Sequence, residues 1–236
     1  MISLRAPQIL YCTFRRFSCK IVTERKRWGP AWPAACETAV IFIIGKEEEI
    51  MRKNFGAKPM LYPQMVMIIA SYGEDGAADA MNAAWGGVAG GDRIFLCLSP
   101  GHKTVKNILK RKAFTVSVAD ESHLTEADYV GLVSGNDVPD KLERAGFHTV
   151  KSEFVDAPVI EELPVALECR LISYDENDHS MIGEIVNVAA DESVLDEEGM
   201  VDPARLNPII FDPFKRTYWN LGQKVGKAFE DGNKLK

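Results

Sequence analysis

Residues 94–118 constrain the chain most. The apolar run Ile94-Phe95-Leu96-Cys97-Leu98 stops at Ser99-Pro100-Gly101, and helical spacing begins at once. A run this short, bounded by a turn, predicts a strand buried on both faces. From Lys103 the apolar residues fall at Val105, Ile108 and Leu109, with Lys106, Lys110 and Arg111 between them, which predicts an amphipathic helix. Phe114-Thr115-Val116-Ser117-Val118 alternates with period two and predicts a half-buried strand. The unit is therefore strand, helix, strand.

The junction at Ser99 to Thr104 carries chemistry. Ser99 or Thr104 is placed to cap the helix. A helix start leaves backbone N–H groups unpaired, and His102, Lys103 and Thr104 add donors where the helix dipole favours negative charge. An anion fits this junction. So does an ordinary capped surface helix with lysines on its wet face.

Upstream, Asp75-Gly76 is a two-residue hairpin signal joining residues 65–72 to residues 77–84. Residues 65–70 are a continuous apolar run suited to a fully buried strand, whereas Ala77, Ala78, Ala80, Ala83 and Ala84 carry little side chain. A planar ring could lie flat on that backbone, or a helix or second subunit could pack closely against it. Residues 86–91, Gly-Gly-Val-Ala-Gly-Gly, read as a flexible turn. They do not match GxGxxG and do not sit between a strand and a helix, which excludes a Rossmann assignment. Ser134 lacks the GxSxG elbow, which argues against a serine hydrolase.

Further on, residues 124–133 read as a helix, residues 165–173 as a strand and residues 181–189 as its partner across an Asp175-Glu176-Asn177-Asp178 turn. Alternation puts Leu167, Cys169 and Leu171 on one face and sends Glu168 and Arg170 to water. Ile209-Ile210-Phe211 reads as a last strand before Tyr218 and Trp219.

Taken in order, the 59–72 entry strand, Asn82-Ala83-Ala84-Trp85, the Ser99 to Thr104 turn, Ser134-Gly135 with Asp140-Lys141, Leu167-Glu168-Cys169 and Asp178-His179 resemble the flavin reductase-like family, the FMN-binding split-barrel group that includes flavoredoxin. The resemblance spans roughly Met51 to the C-terminus. It implies a mainly β protein with short helices, a Greek-key split β-barrel, assembled as a homodimer. It also implies non-covalent FMN, the isoalloxazine along Asn82, Ala83, Ala84 and Trp85 and the phosphate at Ser99, His102, Lys103 and Thr104. The implied activity is FMN reduction by NADH or NADPH, with hydride passing to flavin N5, because the flavin carries the chemistry and the protein binds and orients it. Two alternatives stand beside it: an electron carrier holding FMN without nicotinamide activity of its own, and a binding module that kept the barrel and lost the flavin. An electron-acceptor protein or a flavin-dependent monooxygenase would receive the electrons. Many relatives carry Gly-Asp-His where this chain has Asn177-Asp178-His179. His179 is thus either a solvated turn histidine or a catalytic group that receives the nicotinamide. Tyr218 and Trp219 either cover the flavin or pack between subunits.

Composition narrows the rest. A net charge of −6 argues against nucleic acid or an anionic membrane as main partner. Cys12, Cys19, Cys36, Cys97 and Cys169 form no CxxC pair, so free thiols in a reducing, cytoplasmic setting are expected. No histidine has HExxH or CxxC company, and the acidic run 191–202 lacks the EF-hand pattern, so no metal is expected. Residues 1–50 differ in composition from the remainder of the chain. They are arginine-rich up to Pro30, and their apolar run at 39–44 falls far short of the ~20 residues that cross a bilayer. Gly45-Lys46-Glu47-Glu48-Glu49-Ile50 can be encoded by a purine-rich run containing AGGAGG just before the ATG of Met51. Residues 1–50 are accordingly expected to be a translated leader from a start codon chosen too far upstream, with the working domain at 51–236. A charged helix cap is the plainer reading of the same residues.

Overall fold

The computed structural model describes residues 9–14, 17–22, 40–42 and 51–236. Two units are present, Met1–Lys58 and Pro59–Lys236. In the first, β1 (Ile9–Phe14), β2 (Phe17–Val22) and β3 (Val40–Phe42) form an antiparallel sheet. The leader expected at residues 1–50 otherwise lies outside the described residues.

The second unit begins with β4 (Gln64–Met65) and β5 (Met67–Tyr72), then β6 (Ala78–Ala83), β7 (Gly86–Val88) and β8 (Arg93–Cys97). After α1 (Lys103–Arg111) come β9 (Ala113–Val118), α2 (Leu124–Leu132), α3 (Lys141–Ala145), β10 (Thr149–Lys151) and β11 (Pro158–Ile160). The long hairpin β12 (Val165–Asp175) and β13 (Ser180–Ala190) precedes α4 (Pro203–Leu206), β14 (Ile209–Asp212) and β15 (Thr217–Asn220). Seven strands curl into an antiparallel half-barrel in the order β6-β5-β9-β12-β13-β8-β7, and β15-β14-β4 form a second sheet.

Strand β5 shows how the two cores arise. Ile68 and Ala70 point to a cluster with Ala127 and Val130 of α2 and Leu142 of α3, whereas Met67 and Ile69 point to the other side. There Val105 and Ile108 of α1 pack among Leu96, Phe114, Val116, Cys169 and Met181 from four strands. Alternation along an extended chain sends successive side chains to opposite faces, so one apolar strand serves both cores. Each fully buried Ile or Phe contributes about 1.5–3 kcal/mol relative to exposure. Cys169 is among the buried side chains, and burial pushes its thiol up to about 12.

Sheet position revises several expectations from pattern. Strand β9, read as half-buried, is buried at all six positions, because it lies between β5 and β12 and Thr115 Oγ1 donates to Pro158 O of β11 at 2.6 Å. Strand β8, read as buried on both faces, buries Ile94 and Leu96 but exposes Phe95, since only β7 lies beyond it. Glu168 does not face water with Arg170. A bulge between Glu168 and Cys169 lets both be buried, and Glu168 accepts hydrogen bonds from Ser152 Oγ and Asn187 Nδ2. Arg170 stays exposed and pairs with Glu184 at 2.9 Å. Residues 86–88, read as flexible turn, form edge strand β7. The β5–β6 loop runs over residues 73–77 rather than two residues, with Gly76 at φ +85° and Asp75 Oδ1 accepting from Ala77 N. Among the described residues no helix is long and apolar enough to cross a membrane.

Candidate functional site

A cavity of about 400 Å³ opens between β6, the end of β8, the start of α1 and the loop after α2. Seven of the residues singled out from sequence line it: Asn82, Ala83, Ala84, Trp85, His102, Lys103 and Thr104. Ser99 and His179 do not. Ser99 is exposed at the turn, where its carbonyl accepts from His102 N at 3.3 Å.

The β6 wall is open because its side chains are small, and Asn82 is fixed within it. Its Nδ2 donates to Ala127 O of α2 at 3.1 Å, and Gly131 packs so closely that a Cβ there would lie 2.1 Å from Asn82 Oδ1. At the opposite end α1 begins without a side-chain cap. The N-cap is His102, in extended conformation, and neither Ser99 nor Thr104 fills the capping role expected of them. The first turn carries no acidic residue of its own, and the helix start, with its unpaired N–H groups and the positive end of the dipole, lies at the cavity, which His102, Lys103 and Thr104 line. Thr104 is buried and its hydroxyl donates to Asp79 Oδ2 at 2.5 Å, which commits its proton away from any ligand.

Sequence reasoning missed the polar group behind this end. Lys141 of α3 lines the cavity floor, is buried, and pairs with the buried Asp79 of β6 at 3.3 Å. Its Nζ also donates to the carbonyls of Val130 and Val133 at 3.3 Å each. Asp140-Lys141 was visible only as a mark of resemblance, and Asp79 was hidden in an alanine-rich strand. Desolvation pushes the His102 imidazole below its ordinary pKa even though the residue remains exposed, and the positive Lys141 adds to that shift against the smaller opposing pull of Asp79.

His179 sits at the exit of the β12–β13 turn with φ +62°. Its carbonyl accepts from Leu98 N at 2.9 Å, and Tyr174 OH donates to Leu98 O at 2.8 Å. The turn is therefore stitched to the segment whose Cys97 and Leu98 line the cavity, although the histidine itself stands outside the wall. Of the two late aromatics, Tyr218 lines the cavity and donates to Asp128 Oδ1 at 2.6 Å, and burial together with that bond raises its pKa. Trp219 is exposed and lies outside the lining.

Fold and strand order define a Greek-key split β-barrel of the FMN-binding type. The family model for the flavin reductase like domain matches residues 60–212, and the chain belongs to that family. The flavoredoxin of Desulfovibrio vulgaris (Miyazaki F) is similar at TM-score 0.74 and 36% identity, over 77% of this chain and 100% of that one. The flavoredoxin from Methanosarcina acetivorans is similar at TM-score 0.71 and 25% identity, over 80% of this chain and 100% of that one. The chain spans about half the length of the curated relatives it matches. One is an uncharacterised protein of Aquifex aeolicus, 32% identical over 111 residues, 45% of this chain and 55% of that protein. Another, from Aeropyrum pernix, is 29% identical over 125 residues, 52% of this chain and 47% of that protein.

Proposed function

We propose that the chain binds FMN in this cavity and works as an oxidoreductase that reduces flavin with NADH or NADPH. The observation that carries the reading is one cavity joining a backbone wall of small residues to an uncapped helix start. The donor set fits a flavin mononucleotide: Asn82, Ala83 and Ala84 offer a flat wall, and Lys103, His102 and the α1 N–H groups suit a phosphate. Bound FMN would supply the two-electron chemistry. The chain's own residues bind it, orient it and exclude water from one face.

A second reading has its own support. Similarity to two flavoredoxins favours an FMN-carrying electron-transfer protein without nicotinamide activity. Under the reductase reading His179, on a turn bonded to the cavity's rim, receives the nicotinamide, and the acceptor is a second protein or a flavin-dependent monooxygenase. A homodimer accounts for the exposed Val88, Phe95, Ile172 and Val188 on the seven-stranded sheet.

The test is an absorption spectrum of the full chain with added FMN, then with anaerobic NADH and finally with NADPH. Bound flavin that bleaches with either nucleotide supports the reductase. Bound flavin that resists both favours the carrier, and no binding of FMN refutes both.

A further inference from the structure

Asp79 does not line the cavity, yet several of the segments that do converge on it. Thr104 Oγ1, at the start of α1, donates to one carboxylate oxygen at 2.5 Å, and Lys141 Nζ, from α3, stands 3.3 Å from the other. Gly135, in the loop after α2, packs so tightly that a Cβ would lie 2.0 Å from Asp79 Oδ1. Thr104, Lys141 and Gly135 all face the cavity, as do Val130 and Val133, whose carbonyls accept from Lys141. The lining itself holds Lys103, Lys141 and His102 and no carboxylate. Left alone, Lys141 would be a buried, uncompensated cation, which folded proteins tolerate only at large cost.

We propose that Asp79 is a positioning residue with two duties: it holds the α1 and α3 sides of the cavity together, and it offsets the charge of Lys141. Preference for a phosphorylated over an unphosphorylated flavin then rests on Lys103 and the α1 start, not on the larger number of cations in the wall. The inference rests on the FMN reading above and adds which charges select the ligand.

The pair makes a prediction of sign that packing alone does not. FMN carries a phosphate dianion that riboflavin lacks, so the ratio of their dissociation constants reads the net charge felt at the phosphate. Fluorescence titrations of the full chain with FMN and with riboflavin would be run on wild type, Asp79→Asn, Lys141→Met and the double variant. Asp79→Asn keeps an acceptor for Thr104 but frees the Lys141 charge, so the preference for FMN rises by about fivefold, as one weakly screened charge requires. Lys141→Met leaves the carboxylate unbalanced, and the preference falls by a similar factor. The double variant, neutral for neutral, returns to within about twofold of wild type. Loss of folded protein cancels, because both ligands are measured on the same variant. A wild-type chain that binds both flavins, with all four ratios within twofold, overturns the inference and leaves the FMN reading standing. A wild-type chain that binds neither overturns both.

Discussion

Replacing Gly135 by alanine tests the cavity floor with a single methyl group. The added Cβ would lie 2.0 Å from Asp79 Oδ1, 2.9 Å from its Cγ and 3.3 Å from Lys103 Cγ. A short carboxylate end usually swings aside, but here one oxygen is held by Thr104 at 2.5 Å and the other by Lys141 at 3.3 Å. Either the loop must withdraw or the ion pair must open. Overpacking of a tight site costs about 1–3 kcal/mol, and the pinned neighbour argues for the upper part of that range. For a chain of this size each kcal/mol lowers the melting temperature by about 2–4 °C, so Gly135→Ala should melt roughly 4–12 °C below wild type. Differential scanning calorimetry reads the shift. FMN binding should weaken with it, because the same movement displaces the α1 start. A melting temperature within about 1 °C of wild type would refute the account of Asp79 as a fixed group.

Packing and charge give two further outcomes. Phe114 is fully buried between β-strands and α1, so Phe114→Ala should cost about 3–5 kcal/mol and lower the melting temperature by roughly 6–20 °C, measured in the same instrument. Among the histidines, His102 should titrate below the ordinary imidazole value and His148, hydrogen-bonded through its ring to Glu162, above it. The unfolded chain binds the His102 proton more readily than the folded one, so stability from His102 is present above about pH 6.5 and falls as pH drops below it. The sign reverses for His148, whose contribution is present below about pH 6.5 and is lost as pH rises through its folded value. NMR titration of the ring protons reads both midpoints; His102 titrating above His148 would contradict the desolvation of the His102 ring and the Glu162 contact of His148.

Much of the fold was legible. Strand β8, helix α1 and strand β9 were readable as a unit because periodicity of two and of 3.6 are local properties of a chain. The β5–β6 and β12–β13 hairpins were readable from Asp75-Gly76 and from Asp175 to Asp178, where turn chemistry is also local. Burial was legible only in part. Alternation in β9 suggested a wet face that the sheet covers, and the unbroken apolar run of β8 suggested a cover that its place near the edge does not supply.

The site divides along the same line. Sequence by itself determined the small-residue wall of Asn82 to Ala84 and the donor-rich start of α1, since both depend on residues close in the chain. It could not determine that Thr104 spends its hydroxyl on Asp79, that Lys141 lies buried beside both, or that His179 stands outside the wall while Tyr218 stands within it. Those facts depend on which strands and helices lie beside which. A pairwise contact between residues 79 and 141 leaves no periodic trace in either segment, so only the packing of α3 against β6 brings them together.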